Sequence, residues 1–398
     1  MNLTKFSLLA VAAAFVFAPA IQLFYFSVPA SAVGGGGGPT VTVIATDLHN
    51  PRGLNFGPDG GLYVAEAGTN GHHNGLCRVM GDGATKCYSE TGSISRIDLD
   101  KGMTQRIIED LPSLILPTAS PNVGNGAGAT GAHDISFQGM GNAYVSIGLG
   151  GNPVWRQDFG PDGALLGRLA RFNPSGKFRF NEDLAEYEFE NNPDGFVPDS
   201  NPYGLLARPG KVIYADAGGN SLNQVTARGT VTTLAVFPNL LVPAPIPPSP
   251  SPTPTPGTMI PVQAVPTSVA LGPDGYYYVG QLTGGPFTVG AANVYRVPPG
   301  GGTPEVVYSN FTNIIDLTFG PDGSLYVLEI ARAAIPRFGL GGRLVRIEPD
   351  GTRTDIISGP PLIAPGGVIV GSDGAIYVTN MSTSALTGQV LKIELESP

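Results

Sequence analysis

Residues able to do chemistry stand out in this chain because charged residues are scarce. Only 13% of its 398 residues are Asp, Glu, Lys or Arg, whereas typical globular domains carry about 25%. Many of the polar candidates lie at the ends of short apolar runs that recur along the sequence. These candidates are Arg52, Glu66, His133, Asp134, Asp216, Asn220, Asp316, Glu329 and Asn380.

Two kinds of chemistry fit these residue types. Carboxylate and amide oxygens could hold a hard divalent cation such as Ca²⁺, and Glu66, Asp216 and Asn220 are the candidate metal ligands. Alternatively, His133 beside Asp134, with Arg52 nearby, could act as a general acid or base. A structural role is the third possibility, since Asp and Asn at strand ends commonly bind local backbone groups, and Arg52 could simply pair with Glu66 or Asp134.

The elements that carry these residues are repeated β-hairpins. The first runs from Asn50 to Glu66 and contains two apolar segments joined by Pro58-Asp-Gly-Gly61, which is typical of a hairpin with a Gly-containing turn. Asp59 and its equivalents in these turns are predicted to form turns rather than to bind ligands. Five further copies begin near residues 131, 201, 265, 313 and 364.

Repeats with strand patterns at roughly 40–50 residues predict a β-propeller. The last intervals, Tyr278 to Tyr326 to Tyr377, have about this length, and the longer early intervals indicate insertions in those units. We therefore expect an all-β fold with six four-stranded blades. The sixth repeat has a third strand at Gln389–Leu395 but no fourth, and the free strand at Val41–Thr46 can fill that place. Closing the ring with the N-terminal strand would leave only short sheet edges. In such a ring the candidate side chains meet at one rim, where a small molecule or a protein partner would bind.

The bounds of the propeller region are set by composition. Lys5, the apolar run that follows it and Ala30-Ser-Ala32 predict a signal peptide over residues 1–32, cut after Ala32. A Gly-rich leader follows at 33–40, and the propeller occupies 41–398, with a Pro-rich surface insert at about 238–266. This predicts a periplasmic or secreted protein that leaves the membrane after cleavage.

The two cysteines indicate a possible disulfide, and the net charge argues against one class of function. Cys77 and Cys87 are the only cysteines, and an oxidising compartment would allow them to form a disulfide. The net charge is −9, which argues against nucleic-acid binding because that function needs a basic face. We expect a monomer.

Several motifs resemble one family across most of the chain. The sequence is similar to the ScyD/ScyE family of exported propellers, encoded with the biosynthesis of scytonemin, a cyanobacterial pigment. The matching segments are 131–135 (Gly-Ala-His-Asp-Ile), 190–195 (Glu-Asn-Asn-Pro-Asp-Gly), 199–205 (Asp-Ser-Asn-Pro-Tyr-Gly-Leu), 215–220 (Ala-Asp-Ala-Gly-Gly-Asn) and 322–330 (Asp-Gly-Ser-Leu-Tyr-Val-Leu-Glu-Ile).

This resemblance implies an exported six-bladed propeller that binds a small molecule or a partner and could assist the maturation of an extracytoplasmic metabolite. The hairpins also look like those of NHL-type and lactonase-like propellers, which implies the alternative of a metal-dependent hydrolase or an oxidoreductase. Sugar dehydrogenases of related shape carry a His before Gly-Gly-Arg-Leu, and here Leu340 occupies that place.

Overall fold

A computed structural model describes residues 38–70, 72–81, 83–117, 129–139, 141–173, 176–245, 255, 257–335 and 340–396. The predicted signal peptide, its cleavage site and most of the Gly-rich leader lie outside the described residues. So does the centre of the Pro-rich insert, at 246–254 and 256. No helix in the described part is long and apolar enough to cross a membrane.

The chain forms six small antiparallel sheets that stand in a ring. The N-terminal strand β1 (Thr40–Leu48) belongs to the last of them. Blade one contains β2 (Pro51–Phe56), β3 (Leu62–Glu66), β4 (Cys77–Val79), β5 (Thr85–Asp98) and β6 (Met103–Ile115). Blade two contains β7 (Ala132–Gln138), β8 (Asn142–Ile147), β9 (Arg168–Phe172) and β10 (Phe178–Asp183). Blade three contains β11 (Pro202–Arg208), β12 (Lys211–Asp216), β13 (Ser221–Thr226) and β14 (Val231–Val236).

A two-stranded hairpin, β15 (Leu240–Pro243) with β16 (Met259–Val262), separates blade three from blade four. The remaining blades repeat the same four-stranded plan. Blade four contains β17 (Pro266–Leu271), β18 (Tyr277–Gln281), β19 (Ala292–Val297) and β20 (Glu305–Phe311). Blade five contains β21 (Ile314–Phe319), β22 (Leu325–Glu329), β23 (Arg343–Ile347) and β24 (Arg353–Ser358). Blade six contains β25 (Gly367–Val370), β26 (Ile376–Asn380) and β27 (Gly388–Glu394), together with β1.

The ring closes as the sequence predicts. Strand β1 pairs with β27 in antiparallel register from Thr40 opposite Glu394 to Leu48 opposite Gly388, so it supplies the missing fourth strand of blade six. The first strands of neighbouring blades touch all the way around the axis, and β25 of blade six contacts β2 of blade one. The prediction of a six-bladed propeller with an N-terminal closing strand is confirmed.

The repeated turns explain the repeated tyrosines. In blade one the Tyr63 hydroxyl donates to Asp59 Oδ2 at 3.1 Å, while Gly60 takes a φ of 77°, which glycine adopts without steric cost. The same hydroxyl–carboxylate bond, also at 3.1 Å, forms in blade four and in blade six. The turn Asp therefore holds the hairpin and the tyrosine ring, and the prediction of a turn-forming role is confirmed.

The core is divided among the gaps between adjacent blades. The middle of each second strand carries an apolar side chain, and Val64, Val145 and Val327 have no exposed surface. Burying such a side chain stabilises the fold by about 1.5–3 kcal/mol. Because the buried apolar side chains of one blade pack against those of the next, this packing holds the ring together and fixes the side chains on its axis.

Several elements are absent from the sequence-based prediction. An α-helix, α1 (Leu184–Asn191), follows β10 and begins at Asp183, whose side chain accepts from Glu186 N–H. Two 3₁₀ helices, Pro153–Phe159 and Pro161–Leu165, precede β9. Strands β5 and β6 also run past the blade, and β4 pairs along this extension. These short elements lack the long periodic pattern that reveals a helix or strand in a sequence.

The predicted disulfide is present. Cys77 and Cys87 face each other on β4 and β5 and are bonded. Together with His73 they form the only cluster of three His, Cys, Asp or Glu side chains, within the described ranges, whose ligand atoms approach to 4.8 Å. Because both sulfurs are committed to the disulfide, this cluster does not offer a metal site.

Candidate functional site

Four of the polar residues at the ends of the second strands share one structural task. Each accepts a hydrogen bond from a backbone N–H in the segment that leads into the first strand of the same blade. The bonds are His49 N–H to Glu66 (2.5 Å), Asn201 N–H to Asp216 (2.7 Å), Thr312 N–H to Glu329 (2.7 Å) and Ile363 N–H to Asn380 (2.7 Å). These four side chains are almost fully buried, so they fix the rim of each blade from inside.

The remaining oxygens of the metal candidates are also occupied. Glu66 accepts from Ser95 Oγ at 2.5 Å and from Arg106 Nη2 at 2.9 Å. The possible Glu66–Arg52 pair does not form, since Arg106 is the partner. Arg106 reaches Glu66 from β6, a strand that the sequence predicts at Thr104–Glu109.

Asp216 and Asn220 are equally committed. Asp216 accepts from Ser200 Oγ at 2.8 Å and from the N–H groups of Gly218 and Gly219, both at 3.1 Å. The Asn220 amide oxygen accepts from Val265 N–H at 3.0 Å. A Ca²⁺ ion needs free oxygen ligands, and Glu66, Asp216 and Asn220 offer none together in this arrangement. We derive no reaction step through a metal at these residues.

A second group of candidates lies on the axis of the ring, at the start of the first strands. Arg52, His133 and Tyr203 hold the second position of β2, β7 and β11 in consecutive blades, and we call them the axial layer. The rings of His133 and Tyr203 stack with centroids 4.4 Å apart. The Arg52 guanidinium donates to the carbonyl oxygens of Ser382 at 2.6 Å and Ala129 at 2.9 Å.

Arg52 carries a charge with little compensation. Its exposed fraction is 7%, none of the ion pairs in the described part of the chain includes it, and its Nε has no hydrogen-bond partner there. The expected Arg52–Asp134 pair does not form either. Leaving a buried donor unpaired costs about 1–3 kcal/mol, so this guanidinium is suited to an added acceptor.

His133 is a neutral base in this setting. Its Nδ1 lies 3.0 Å from the Pro202 carbonyl oxygen; since a carbonyl can only accept, Nδ1 carries the proton and Nε2 is the accepting nitrogen. Burial lowers the pKa of His133 to about 3, and the positive charges of Arg52 and Lys86 contribute to this shift. The ring therefore stays uncharged at neutral pH, and its Nε2 can accept a hydrogen bond.

The next position along the first strands holds two aspartates, Asp134 in blade two and Asp316 in blade five. In a ring of six these blades stand opposite each other, and we call the two residues the acid pair. Each binds the same kind of groups. Their Oδ1 atoms accept from the following N–H (2.8 Å in both), and their Oδ2 atoms accept from the next blade, from Leu205 N–H at 2.6 Å and Val368 N–H at 2.8 Å.

The pKa values of both aspartates are raised. Burial raises the pKa of Asp134 well above its ordinary value, and the charge of Asp316 raises it further. Burial likewise raises the pKa of Asp316 to about 7, against the opposing effect of the bonds from Val368 and Leu317. Two carboxylates that repel each other across an axis cannot both ionise easily, so the pair retains a proton near neutrality.

Glycine allows the acid pair to sit so close to the backbone. A Cβ built on Gly53 would overlap the Asp134 carboxylate, so any larger residue at position 53 would displace that side chain. Gly204 approaches the backbone of Ser268, to within 2.7 Å of its Cα from a built Cβ. The inner strands can therefore approach one another at these two positions and deliver the acids to the axis.

The nine predicted site residues thus divide into two sets. Arg52, His133, Asp134 and Asp316 meet at the axis, whereas Glu66, Asp216, Asn220, Glu329 and Asn380 are engaged in shaping the rim. The sequence missed Lys86, which is buried on β5 and donates to Thr130 Oγ1 at 3.0 Å. Nothing in its local sequence indicates that β5 extends to the rim.

Comparisons with known proteins find similar solved structures at low sequence identity. No known family profile and no curated protein sequence matches this chain. A solved Thermus thermophilus protein described as a candidate oxidoreductase (glucose dehydrogenase) aligns with 89% of this chain and 100% of its own, at 16% identity and a TM-score of 0.51. A Xanthomonas campestris gluconolactonase aligns over 90% of both chains at 10% identity and a TM-score of 0.49.

A third neighbour is virginiamycin B lyase from Staphylococcus aureus, which aligns with 89% of this chain and 97% of its own at 14% identity and a TM-score of 0.46. At such identities the similarity shows the fold alone. The molecule is a six-bladed β-propeller protein, and its activity has to be argued from its own residues.

Proposed function

We propose that this protein binds a small polar or anionic molecule at the mouth of its central channel, outside the cytoplasm. The observation that carries the proposal is the convergence of the axial layer and the acid pair, whose aspartates keep accessible surface, whereas the rim acids are almost fully buried. Tyr203, Asp134 and Asp316 keep accessible surface, so a ligand can reach them. The charge of Arg52, which acts on both His133 and Tyr203, favours a ligand with a carboxylate or another acceptor group.

The extracytoplasmic setting and a role in metabolite maturation are supported by sequence patterns. Lys5 and Ala30-Ser-Ala32 support export, and the motif resemblance to the ScyD/ScyE family supports a small metabolite as the ligand. If export occurs as proposed, the mature protein begins at Val33, which N-terminal sequencing can read directly.

A second candidate function is catalysis at the same place. A carboxylic acid whose pKa is about 7, as for Asp316, is matched to proton transfer near neutral pH. The names of the gluconolactonase and glucose dehydrogenase neighbours suggest lactones and sugars as compounds to try. In this version water would attack the lactone carbonyl carbon while neutral His133 holds that water by accepting a hydrogen bond from it. Asp316 would give its proton to the ring oxygen that leaves and would recover one from the attacking water.

Binding is tested with gluconate, and catalysis with glucono-1,5-lactone. Tyr203→Phe removes one hydroxyl at the axis and should weaken gluconate binding by about tenfold, the effect of one lost hydrogen bond, in titration calorimetry. Tyr308→Phe is the matched control, because Tyr308 lies on the outer strand β20. Equal affinities for the two variants would contradict the proposed site. Lactone hydrolysis that is lost in Asp316→Asn but not on chelation would favour the catalytic version.

A further inference from the structure

A group of four acidic side chains lies away from the axis, between α1 and the turn that follows β12. Glu188 comes from α1, Asp194 and Asp199 from the segment after it, and Asp216 from the end of β12. They meet at the turn 217–220, where Cβ atoms built on Gly218 and Gly219 would lie 2.6 Å from Asp199 Oδ1 and 2.5 Å from Glu188 Oε2, and where Asn220 Nδ2 donates to Asp194 Oδ2 at 2.9 Å. Burial raises the pKa of Glu188 to about 9, with contributions from the charges of Asp216, Asp194 and Asp199. Burial also raises the pKa of Asp199 to about 6, again with Asp216 and Asp194 contributing.

Two polar groups in this region are buried without partners. Glu188 is 2% exposed and its Oε1 has no hydrogen-bond partner among the described residues. Its carboxylate lies against the backbone of Gly219, where a built Cβ would come within 2.5 Å of Oε2. Tyr214 has no exposed surface and its hydroxyl is also unpartnered within the described segments, while the charges of Asp216 and Glu188 act on it. Buried polar groups in native proteins nearly always have a partner.

No basic side chain of the described segments compensates this charge. None of the ion pairs in that part of the chain includes Glu188, Asp194, Asp199 or Asp216. Arg156 is engaged at the start of α1, where it binds Asp183 and Glu186 at 2.8 and 2.9 Å. Burying a carboxylate is costly unless it is paired, protonated or bound to a cation.

We propose that Glu188, with Asp199 beside it, binds a hard divalent cation, with Ca²⁺ as the preferred ion and Glu188 as the principal ligand. Asp216 and Asp194 add negative charge but are not ligands, because their oxygens already accept hydrogen bonds. All the groups available are oxygens, which suit Ca²⁺ rather than a softer metal. Because Gly219 has no side chain, the turn packs directly against Oε2 of Glu188, so Oε1, which has no hydrogen-bond partner among the described residues, is the oxygen left for the ion. The cluster shares no residue with the axial layer or the acid pair, so the proposal does not depend on the proposed function.

The geometry also sets the strength of binding. No three carboxylates of the cluster, all of them in described segments, bring their ligand atoms within 4.8 Å of one another. One ion would therefore contact at most two of them, such as Glu188 and Asp199, and would complete its six to eight ligands with carbonyl groups and water. A site with at most two carboxylate ligands is typical of weak Ca²⁺ binding, with a Kd of about 10⁻⁴ to 10⁻³ M.

The test is thermal unfolding of the full chain in CaCl₂, with Tb³⁺ luminescence as a second readout. About 10 mM Ca²⁺ should raise the wild-type Tm by roughly 2–4 °C, and Tb³⁺ should emit on excitation of the nearby tyrosines. Glu188→Gln should abolish both effects. It should remain folded without Ca²⁺, since Gln is uncharged and of nearly the same size. Glu190→Gln is the matched control, because Glu190 is exposed on the same helix.

Each possible result of these measurements either supports or overturns the proposed cation site. A wild-type Tm that does not move up to about 10 mM Ca²⁺ would overturn the proposal and would mean that Glu188 holds a proton instead. Equal shifts in wild type and Glu188→Gln would also overturn it, since the ion would then bind elsewhere. A shift lost in Glu188→Gln and kept in Glu190→Gln is the result that we expect.

Discussion

The acid pair makes the stability of the propeller depend on pH in a defined direction. The pKa of Asp316 is about 7 in the folded protein, against an ordinary value of 3.8. Between these two values the folded chain holds a proton that the unfolded chain has released, so stability falls as the pH rises from about 4 to about 7. The difference of about 3 pKa units corresponds to roughly 4 kcal/mol.

Replacing Asp316 by Asn should remove the part of this dependence that comes from Asp316, while Asp134 keeps the part that its own burial causes. Asp316 keeps some accessible surface in the channel, so screening by water reduces the effect and we expect about 2–4 kcal/mol. Asn has one acceptor oxygen, so either Leu317 or Val368 loses its side-chain partner at a pH-independent cost of about 1 kcal/mol. The variant should therefore be slightly less stable than wild type near pH 4.5 and more stable near pH 8.

Urea unfolding at about pH 4.5, 6 and 8 measures this crossover. The quantity to follow is the free energy of unfolding of Asp316→Asn minus that of wild type, which should rise by about 2–4 kcal/mol across the range. Glu190→Gln changes an exposed acid and should show no such rise. A constant difference at all three pH values would refute the argument, because it would mean that Asp316 is ionised throughout or that its pKa is unperturbed.

Two further predictions concern stability. Replacing Cys77 and Cys87 by Ala should cost about 2–3 kcal/mol, because the disulfide closes a loop of ten residues; unfolding with and without reductant should show the same loss in wild type, and no loss would contradict it. Arg343→Met should cost about 3–5 kcal/mol, since it strands the buried Glu329 carboxylate that Arg343 binds at 2.6 and 2.9 Å. Arg346→Met, on the same strand but paired with an exposed acid, should cost less than about 1 kcal/mol.

The fold could be predicted because the sequence features that specify it are local and are repeated along the chain. The hairpin at Asn50–Glu66 carries its own turn residues, and five further copies of it predict the number of blades. The place of β1 followed from counting strands, since the sixth repeat lacks one. In contrast, α1 is only eight residues long, and its only mark in the sequence is the capping pattern from Asp183 to Glu186, which is a weak indication without a long periodic pattern.

The site was predicted only in part, and the reason is physical. Sequence position predicts which residues lie at the rim, but it cannot show which oxygens are already taken. Glu66 and Asp134 are alike in the sequence, as acids at a strand end. Only the structure shows that Glu66 is bound by Arg106 and the backbone, whereas Asp134 faces a second acid across the axis. The sequence did not indicate Glu188 as a site residue, because the acidic residues near it come from the end of β12 and from the loop after α1.

The small hairpin between blades three and four has a practical consequence. Strands β15 and β16 pair from Leu240 opposite Val262 to Pro243 opposite Met259, and Ala244 N–H still donates to Thr258 O at 2.9 Å. The two ends of the intervening segment are thereby tied side by side, so the blades need not adjust when its length changes. A reporter domain or affinity tag spliced in there should leave the rest of the molecule intact.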